Sequence, residues 1–157
     1  MTGYLLDTNV VSELRKLRSG RANPGVAEWA RGRDASDLFV SVVTIAEIDF
    51  GIRLIERRDP FQGALFRKWL EEGVLPAFAG RMLSVDLDAA LKYSEINVPN
   101  RCSDRDGWIA ATALANGLTV VTRSTKDFER TGVPLLNPWT GEGRGASRLC
   151  KAQPKAE

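Results

Sequence analysis

The sequence predicts an α/β fold in which a mostly parallel β-sheet carries helices on both faces. Short apolar segments rich in β-branched residues alternate along the chain with longer segments of helical periodicity. This order is typical of parallel sheets, because each helix carries the chain back to start the next strand. With 157 residues, 43% of them hydrophobic, the chain has the size and composition of one domain with a substantial core.

The first part of the chain predicts two buried strands separated by helices. The run LFVSVVT at 38–44 is β-branched and aromatic, which is typical of a strand buried on both faces. In the segment that follows, isoleucines recur at intervals of three and four residues and line one helical face. The predicted elements are a strand at 3–6, a helix from Thr8, a helix at 25–31, a strand at 38–44 and a helix at 44–59.

The second part continues the alternation after Pro60, which interrupts the preceding helix. Pro99 and Gly117 are typical of positions just beyond a helix end. The predicted elements are a helical stretch at 61–80, a strand at 82–87, a helix at 88–98, a helix at 103–117, a strand at 118–122 and a last strand at 133–138. We expect the domain to span residues 1–139 and the polar residues 140–157, which lack apolar periodicity, to form a disordered tail.

The composition excludes several kinds of active site. The chain contains no histidine, which removes histidine-based triads, paired-histidine ribonuclease chemistry and histidine–metal sites. Its two cysteines, Cys102 and Cys150, stand far apart and indicate neither a disulfide framework nor a thiolate zinc site. Any acid–base chemistry is therefore expected to depend on carboxylates, amines or metal ions. Arginines make up 16 of the 22 basic residues, a mild bias towards a phosphate-bearing partner.

The sequence also carries an expectation about location. No apolar run approaches the roughly 20 residues that span a bilayer, and the first residues have the features of neither a signal peptide nor a transit peptide. We therefore expect a soluble, cytoplasmic protein without a membrane segment.

Acidic residues follow the predicted strands. Asp7 comes directly after the first strand and Glu47 shortly after the second, while Asp106, with Asp104 before it, opens the helix at 103–117. Asp127 follows the strand at 118–122. Because sites in parallel sheets form beyond the carboxyl ends of the strands, these acids are expected to lie close together.

Two interpretations of these acids remain open at this point. Thr44 with Glu47 and Ser103 with Asp106 fit capping boxes, and Asp7 fits a helix cap, so each acid has a purely structural role available. If the carboxylates converge, they need positive charge between them, supplied by Arg105, by Arg123, or by Mg²⁺ or Mn²⁺. A carboxylate site holding such an ion would suit hydrolysis of a phosphodiester.

Four segments of the chain, in order, resemble the PIN domain and, more narrowly, VapC-type toxins of toxin–antitoxin pairs, including the FitB-like branch. They are LLDTNVVSEL, VSVVTIAEIDFGI, DRDGWIAATALANGLTVVTRSTKDF and GVPLLNPW, and the likeness runs from residue 4 to residue 139. The resemblance implies a three-layer α/β/α sandwich and a Mg²⁺- or Mn²⁺-dependent endoribonuclease. It also implies an RNA substrate, a VapB-like antitoxin and a homodimer.

The resemblance assigns roles to individual residues. Asp7, Glu47 and Asp106 would be the catalytic, metal-holding carboxylates; the segment GWIAA fixes the register on Asp106 and leaves Asp104 as a neighbour. Ser124 stands where the family often has Asp or Asn, so the fourth catalytic position would be missing, filled through water or filled by Asp127. The residues that would hold the carboxylates in place are Thr8, Asn9, Thr122 and Ser124. Arg123 and Arg105 would be candidates for contact with RNA.

Two other functions are compatible with the residues. One is a PIN-like module that binds RNA or a partner and has lost catalytic strength, as Ser124 suggests. The other is a phosphatase with Asp7 as nucleophile, which Asn9 disfavours because such enzymes place a second aspartate at that position.

Overall fold

In the computed structural model, which describes residues 3–141, five parallel strands form one sheet in the order β3-β2-β1-β4-β5. The strands are β1 (Tyr4–Leu6), β2 (Leu38–Ser41), β3 (Met82–Leu83), β4 (Thr119–Val121) and β5 (Leu135–Leu136). Each neighbouring pair is parallel, with Leu5 opposite Phe39 on one side and opposite Val120 on the other. The strand β1 therefore lies in the middle of the sheet, between β2 and β4.

Helices connect the strands, as parallel pairing requires. They are α1 (Thr8–Leu14), α2 (Pro24–Arg31), α3 (Val42–Arg58), α4 (Pro60–Lys68), α5 (Leu75–Ala77), α6 (Leu87–Ile96), α7 (Asp104–Ala115) and α8 (Thr125–Phe128), with a π-helical segment at Trp69–Val74. Asn23 and Asp59 cap α2 and α4, and each of these helices has proline at its first position, where no backbone N–H is needed. No helix within residues 3–141 has the length and hydrophobicity to cross a bilayer.

The core has two parts, one on each face of the sheet. Tyr4 and Leu6 of β1 pack with buried residues of α1 and α3 such as Val10 and Ile48. Leu5, which points to the opposite face, packs with Ile109 and other residues of α7. Helices thus cover both faces, and the predicted three-layer α/β/α arrangement is confirmed.

The second predicted strand is too long. β2 ends at Ser41, and α3 begins at Val42 rather than at residue 44, because the Ser41 hydroxyl accepts a hydrogen bond from the Val43 amide at 3.1 Å and caps the helix. The capping box predicted from Thr44 and Glu47 is therefore wrong. Glu47 lies in the second turn of α3, and its carboxylate is free for contacts outside the helix terminus.

Other boundaries differ in smaller ways. The strand predicted at 82–87 is β3, with two residues, because the Asp86 carboxylate accepts a hydrogen bond from the Ala89 amide and starts α6. The helical stretch predicted at 61–80 is divided by the π-helical segment, and α8 was not predicted. Of the tail predicted at 140–157, all but the first two residues lie outside the described range.

Candidate active site

Asp7 lies at the carboxyl end of the central strand. Its amide donates to the Val121 carbonyl of β4 at 3.0 Å, so the backbone of Asp7 continues the pairing of β1 with β4. Its carboxylate caps α1 by accepting from the Thr8 amide at 2.7 Å through Oδ1, and accepts from the Thr122 hydroxyl at 2.8 Å through Oδ2. With 4% of its surface exposed, this carboxylate is held from two elements of the fold.

Thr122 connects Asp7 to the residues around it. Its buried hydroxyl donates to Asp7 and accepts from the Asn9 side-chain amide at 3.3 Å and from the Ser124 backbone amide at 3.0 Å. The Asn9 side chain also donates to the Ser124 hydroxyl at 3.4 Å and accepts from the Arg123 amide at 3.2 Å. The four residues expected to hold the carboxylates thus include three, Asn9, Thr122 and Ser124, that form one network behind Asp7.

Glu47 reaches the site from the second turn of α3. Its Oε2 accepts from the Thr8 hydroxyl at 2.6 Å, and its Oε1 accepts from the Arg105 guanidinium at 2.5 Å. Thr8 therefore contacts two acids, Asp7 through its amide and Glu47 through its hydroxyl. This residue, the first of α1, links the acid that follows β1 to the acid on α3.

Asp106 reaches the site from the start of α7. Ser103 caps that helix, and its hydroxyl accepts from the Asp106 amide at 3.3 Å and donates to Asp106 Oδ2 at 2.6 Å. The predicted cap at Ser103 is therefore present, and the same hydroxyl holds the carboxylate. The other oxygen, Oδ1, lies 3.3 Å from both Nε and Nη2 of Arg105. The S-x-x-D spacing was the signal in the sequence for this positioning role of Ser103.

The three acids influence one another electrostatically. Burial raises the pKa of Asp7; hydrogen bonds from Thr122 and Thr8 oppose the rise, and the nearby charges of Glu47 and Asp106 add to it. Burial alone would lower the pKa of Arg105, but the carboxylates of Glu47 and Asp106 raise it above its ordinary value. Asp7, Glu47 and Asp106 thus form the acidic cluster, with Arg105 as its cation.

Asp127 is not part of the acidic cluster. It lies exposed on α8, and no hydrogen bond or ion pair found within residues 3–141 involves its side chain. Asp104, two residues before Asp106, accepts from the Tyr93 hydroxyl at 2.7 Å and from Arg101 at 3.0 Å, facing α6 instead. The structure therefore brings together three of the four acids named for catalysis and leaves the role of Asp127 a prediction.

Arg123 lies beside the network but does not touch the acids. Its guanidinium lies over the Trp139 ring, 5.7 Å from the ring centre, and its amide is held by Asn9. Its side chain is exposed next to Ser124. Of the two arginines that the sequence offered as neutralising charge, Arg105 therefore fills that role and Arg123 does not.

The donor chemistry of the acidic cluster suits a hard divalent cation, since every ligand on offer is an oxygen and neither imidazole nor thiolate is present. The guanidinium of Arg105 stands in for such a cation between Glu47 and Asp106. As the side chains stand, residues 3–141 contain no set of three acidic or cysteine side chains arranged to hold a metal ion. The residues fit the ion by the chemistry and charge of their oxygens, and Asp7, Glu47 and Asp106 would have to draw together to hold it.

Comparisons with known proteins agree with this architecture. The PIN domain model matches residues 4–134. The VapC ribonuclease Y4jK of Sinorhizobium fredii is 41% identical over 143 residues, which cover 86% of this chain and 96% of that protein. The toxin FitB of Neisseria gonorrhoeae is 36% identical over 140 residues, covering 86% of this chain and 97% of that one.

A solved structure shows the same relationship in three dimensions. The crystal structure of FitAcB from Neisseria gonorrhoeae superposes with a TM-score of 0.77 and 35% identity, covering 87% of this chain and 98% of that chain. The parallel sheet, the acids beyond its strand ends and the match over residues 4–134 lead to one assignment. This chain belongs to the PIN domain family.

Proposed function

We propose that this protein is a Mg²⁺- or Mn²⁺-dependent endoribonuclease and the toxin of a toxin–antitoxin pair. The observation that carries the proposal is the acidic cluster. Asp7, Glu47 and Asp106 come from separate segments of the chain, yet they lie close enough for the charges of two of them to raise the pKa of the third. Relatives that match nearly the whole domain are named as a VapC ribonuclease and as the toxin FitB.

Bringing three carboxylates together lowers the stability of the fold, so the arrangement calls for a functional explanation. Like charges within a few ångströms destabilise one another, and Asp7 is buried as well. Helix capping explains the position of Asp7 and of Asp106, but it does not explain Glu47, which stands in the second turn of α3 and turns towards Thr8 and Arg105. A site for a divalent cation accounts for all three acids together.

In the proposed site Asp7, Glu47 and Asp106 would hold the ion. When bound there, such an ion supplies the Lewis acidity that lowers the pKa of water and stabilises phosphate oxygens. Thr122 and Ser103 orient Asp7 and Asp106 through hydrogen bonds of 2.8 and 2.6 Å, which limits the conformations from which these acids would close on the ion. We propose that Arg105, which is half exposed, and Arg123, which is exposed, contact RNA phosphates, and their exposure supports this role.

Cleavage of RNA by Asp7→Asn tests the proposal. The substitution keeps the shape of the side chain and removes its charge. Because loss of a group that only orients a metal ligand costs about 10–100-fold, we expect loss of the ligand itself to reduce the rate by more than about 100-fold. Asp104→Asn is the matched control, since Asp104 opens α7 and faces Tyr93 and Arg101 rather than the acidic cluster.

Two results would contradict the assignment. Equal cleavage by the parent and by Asp7→Asn would show that Asp7 is not a catalytic residue. Full cleavage in excess chelator would show that the reaction needs no metal ion. Mapping the 5′ ends of RNAs cut on expression in cells would then identify the substrate and its cleavage sequence.

As a toxin, the protein is proposed to act on RNA in the cytoplasm and to be neutralised by a VapB-like antitoxin encoded beside it. We expect its expression to arrest growth, the antitoxin to restore growth, and Asp7→Asn to be harmless alone. An arrest by Asp7→Asn as strong as that by the parent would separate toxicity from the proposed catalysis.

A homodimer is also proposed. Phe50, Leu54, Phe61 and Leu65 expose apolar side chains on α3 and α4, and Phe61 has 74% of its surface exposed. Such apolar surface is typical of a partner interface. Light scattering of the parent and of Phe61→Ser tests it: we expect a dimer that the substitution weakens, and a monomeric parent would contradict the proposal.

A PIN-like module that binds RNA or a partner without efficient catalysis is the second candidate. Arg105 engages Glu47 and Asp106, and Asp127 lies apart from the acidic cluster, which favours it. Binding of RNA without cleavage at saturating Mg²⁺ or Mn²⁺ would support this candidate over the nuclease. A phosphatase with Asp7 as nucleophile is disfavoured, because Asn9 stands where such enzymes place a second aspartate.

A further inference from the structure

The guanidinium of Arg105 joins two acids from different helices. Nη1 lies 2.5 Å from Glu47 Oε1 on α3, while Nε and Nη2 each lie 3.3 Å from Asp106 Oδ1 on its own helix, α7. Charge-assisted hydrogen bonds are usually about 2.7–2.9 Å long. Arg105 therefore binds Glu47 closely and Asp106 loosely, and Asp106 has its shorter bond from Ser103 at 2.6 Å.

The position of Arg105 along α7 is unfavourable for a cation. It is the second residue of the helix, where the positive end of the helix dipole repels a positive side chain. The preceding cap, Ser103, and the flanking acids Asp104 and Asp106 follow the usual preference for a helix start. The placement of Arg105 is thus explained by the acids that it faces and not by the stability of α7.

One guanidinium does not balance the acidic cluster. Arg105 carries one positive charge against the carboxylates of Asp7, Glu47 and Asp106, and its hydrogen bonds reach only the last two. A divalent cation in the cluster would need the oxygens that now accept from Arg105, and the two cations would repel each other at that separation. The guanidinium and the divalent ion therefore compete for one place.

Arg105 is also able to leave. Half of its side-chain surface is exposed, compared with 7% for Asp106. Its long flexible stem begins at the helix start, so rotation of side-chain bonds is enough to carry the guanidinium into solvent with α7 in place. Once Arg105 has left, Glu47 and Asp106 keep their hydrogen bonds from Thr8 and Ser103, and the two oxygens that accepted from Arg105 become available to an ion.

We propose that Arg105 is an internal counter-ion, which occupies the acidic cluster while no divalent cation is bound and which such a cation must displace. The proposal rests on the metal site in the proposed function. It makes Arg105 a positioning residue of the metal-free protein, in which the guanidinium holds α3 and α7 together across the acids. It also makes the apparent affinity for the ion weaker than that of the carboxylates alone.

The test is binding of Mn²⁺ to the full chain, followed by the electron paramagnetic resonance signal of the free ion. We expect Arg105→Gln to bind Mn²⁺ at least about tenfold more tightly than the parent, because the competing charge is gone. Arg105→Lys keeps the charge and is expected to remain closer to the parent. Arg101→Gln is the matched control: it removes an arginine beside the same helix start that pairs with Asp104, and we expect its affinity within about twofold of the parent.

Thermal unfolding gives a second readout that does not depend on catalysis. In excess chelator Arg105→Gln should have a lower Tm than the parent, since Glu47 and Asp106 lose their cation, and saturating Mn²⁺ should raise its Tm by more than it raises that of the parent. Equal or weaker Mn²⁺ binding by Arg105→Gln would overturn the proposal, as would an equal gain in affinity for Arg101→Gln.

The outcomes separate this inference from the proposed function. A parent that binds Mn²⁺ and cuts RNA, with Arg105→Gln binding no more tightly, overturns the counter-ion alone. If Arg105→Gln binds Mn²⁺ and the parent does not, the result supports Arg105 as the counter-ion. If neither protein binds Mn²⁺, the counter-ion and the metal-dependent nuclease both fail.

Discussion

Replacing Thr122 by valine removes one hydroxyl from behind Asp7 at nearly constant volume. The hydroxyl is buried, donates to the Asp7 carboxylate at 2.8 Å and accepts from the Asn9 side chain and the Ser124 amide. After the change, Asp7 Oδ2 is left without that donor in a place where water has little access. Most of the expected loss in the free energy of unfolding therefore comes from the Asp7 carboxylate.

The magnitude follows from what each partner loses. A hydrogen bond to a charged group contributes about 1.5–3 kcal/mol, and a buried acceptor left without a donor incurs its full desolvation cost. Asn9 and Ser124 are partly exposed and regain hydrogen bonds to water, so their losses add little. We expect Thr122→Val to lower the free energy of unfolding by about 2–3 kcal/mol and Tm by about 4–12 °C for a domain of this size.

Thr112→Val is the matched control. Thr112 is as fully buried as Thr122, and its hydroxyl donates at 2.7 Å to the Trp108 carbonyl one turn earlier in α7. That carbonyl also belongs to the helical hydrogen-bond ladder, so its loss of a second donor leaves no buried charge unpaired. We expect a cost below about 1 kcal/mol.

The measurement is urea unfolding of the parent and both variants at neutral pH in excess chelator, which removes any contribution from bound metal. In a protein that already carries Asp7→Asn, Thr122→Val should lower the free energy of unfolding by less than it does in the parent. The reason is that the charge stabilised by the Thr122 hydroxyl is then absent. The reasoning is refuted if Thr122→Val is no more destabilising than Thr112→Val, or if Asp7→Asn leaves its cost unchanged.

Other predictions concern pH and two helical glycines. Because the pKa of folded Asp7 is raised, the folded protein keeps its proton to higher pH than the unfolded chain, and the stability lost through this group increases as pH rises from about 4 through the raised pKa. The stability of Asp7→Asn relative to the parent, measured in chelator, should therefore increase over that interval; a constant difference would contradict it. Gly107→Ala should cost about 1–3 kcal/mol in urea unfolding, because its β-carbon would lie 2.9 Å from a ring carbon of Tyr93. Gly51→Ala, with no atom within 4 Å of the new carbon, should instead stabilise α3 by about 0.5–1 kcal/mol, and a gain at Gly107 or a loss at Gly51 would refute the packing argument.

The order of the elements was predictable because it depends on patterns that are local in sequence. Apolar segments at 4–6 and 119–121 became the middle of the sheet, and the helix with isoleucine periodicity became α3. The boundary between β2 and α3 was not predictable from propensity alone. The run around Val42 and Val43 is β-branched, but Ser41 caps the helix and burial of Ile48 and Ile52 fixes its register, so packing overrides the local preference.

At the site, too, features set by local sequence patterns were predictable and features set by packing were not. Asp7 and Asp106 stand beside strand and helix ends, so the topology places them. Glu47 was assigned to a helix start and lies one turn further on, where its contact with Thr8 is a tertiary one. The bridge from Arg105 to Glu47 joins residues 58 positions apart and is set by the packing of α3 near α7. No local pattern encodes that pair, and the sequence offered Arg105 only as one of two arginines.

The attachment of Asp7 to the centre of the sheet bears on how the protein could be switched off. Its amide bonds to β4, and its side chain accepts a hydrogen bond from a residue 115 positions away, so the backbone that carries this carboxylate moves only when the middle of the domain comes apart. Amide hydrogens at Asp7 and Thr122 should accordingly exchange with solvent only through global opening, unlike those at the exposed surface of α8. Local opening at an edge of the sheet therefore leaves Asp7 in place. For the proposed nuclease, an inhibitor would act by covering the acids from outside, and its dissociation would restore the site without refolding.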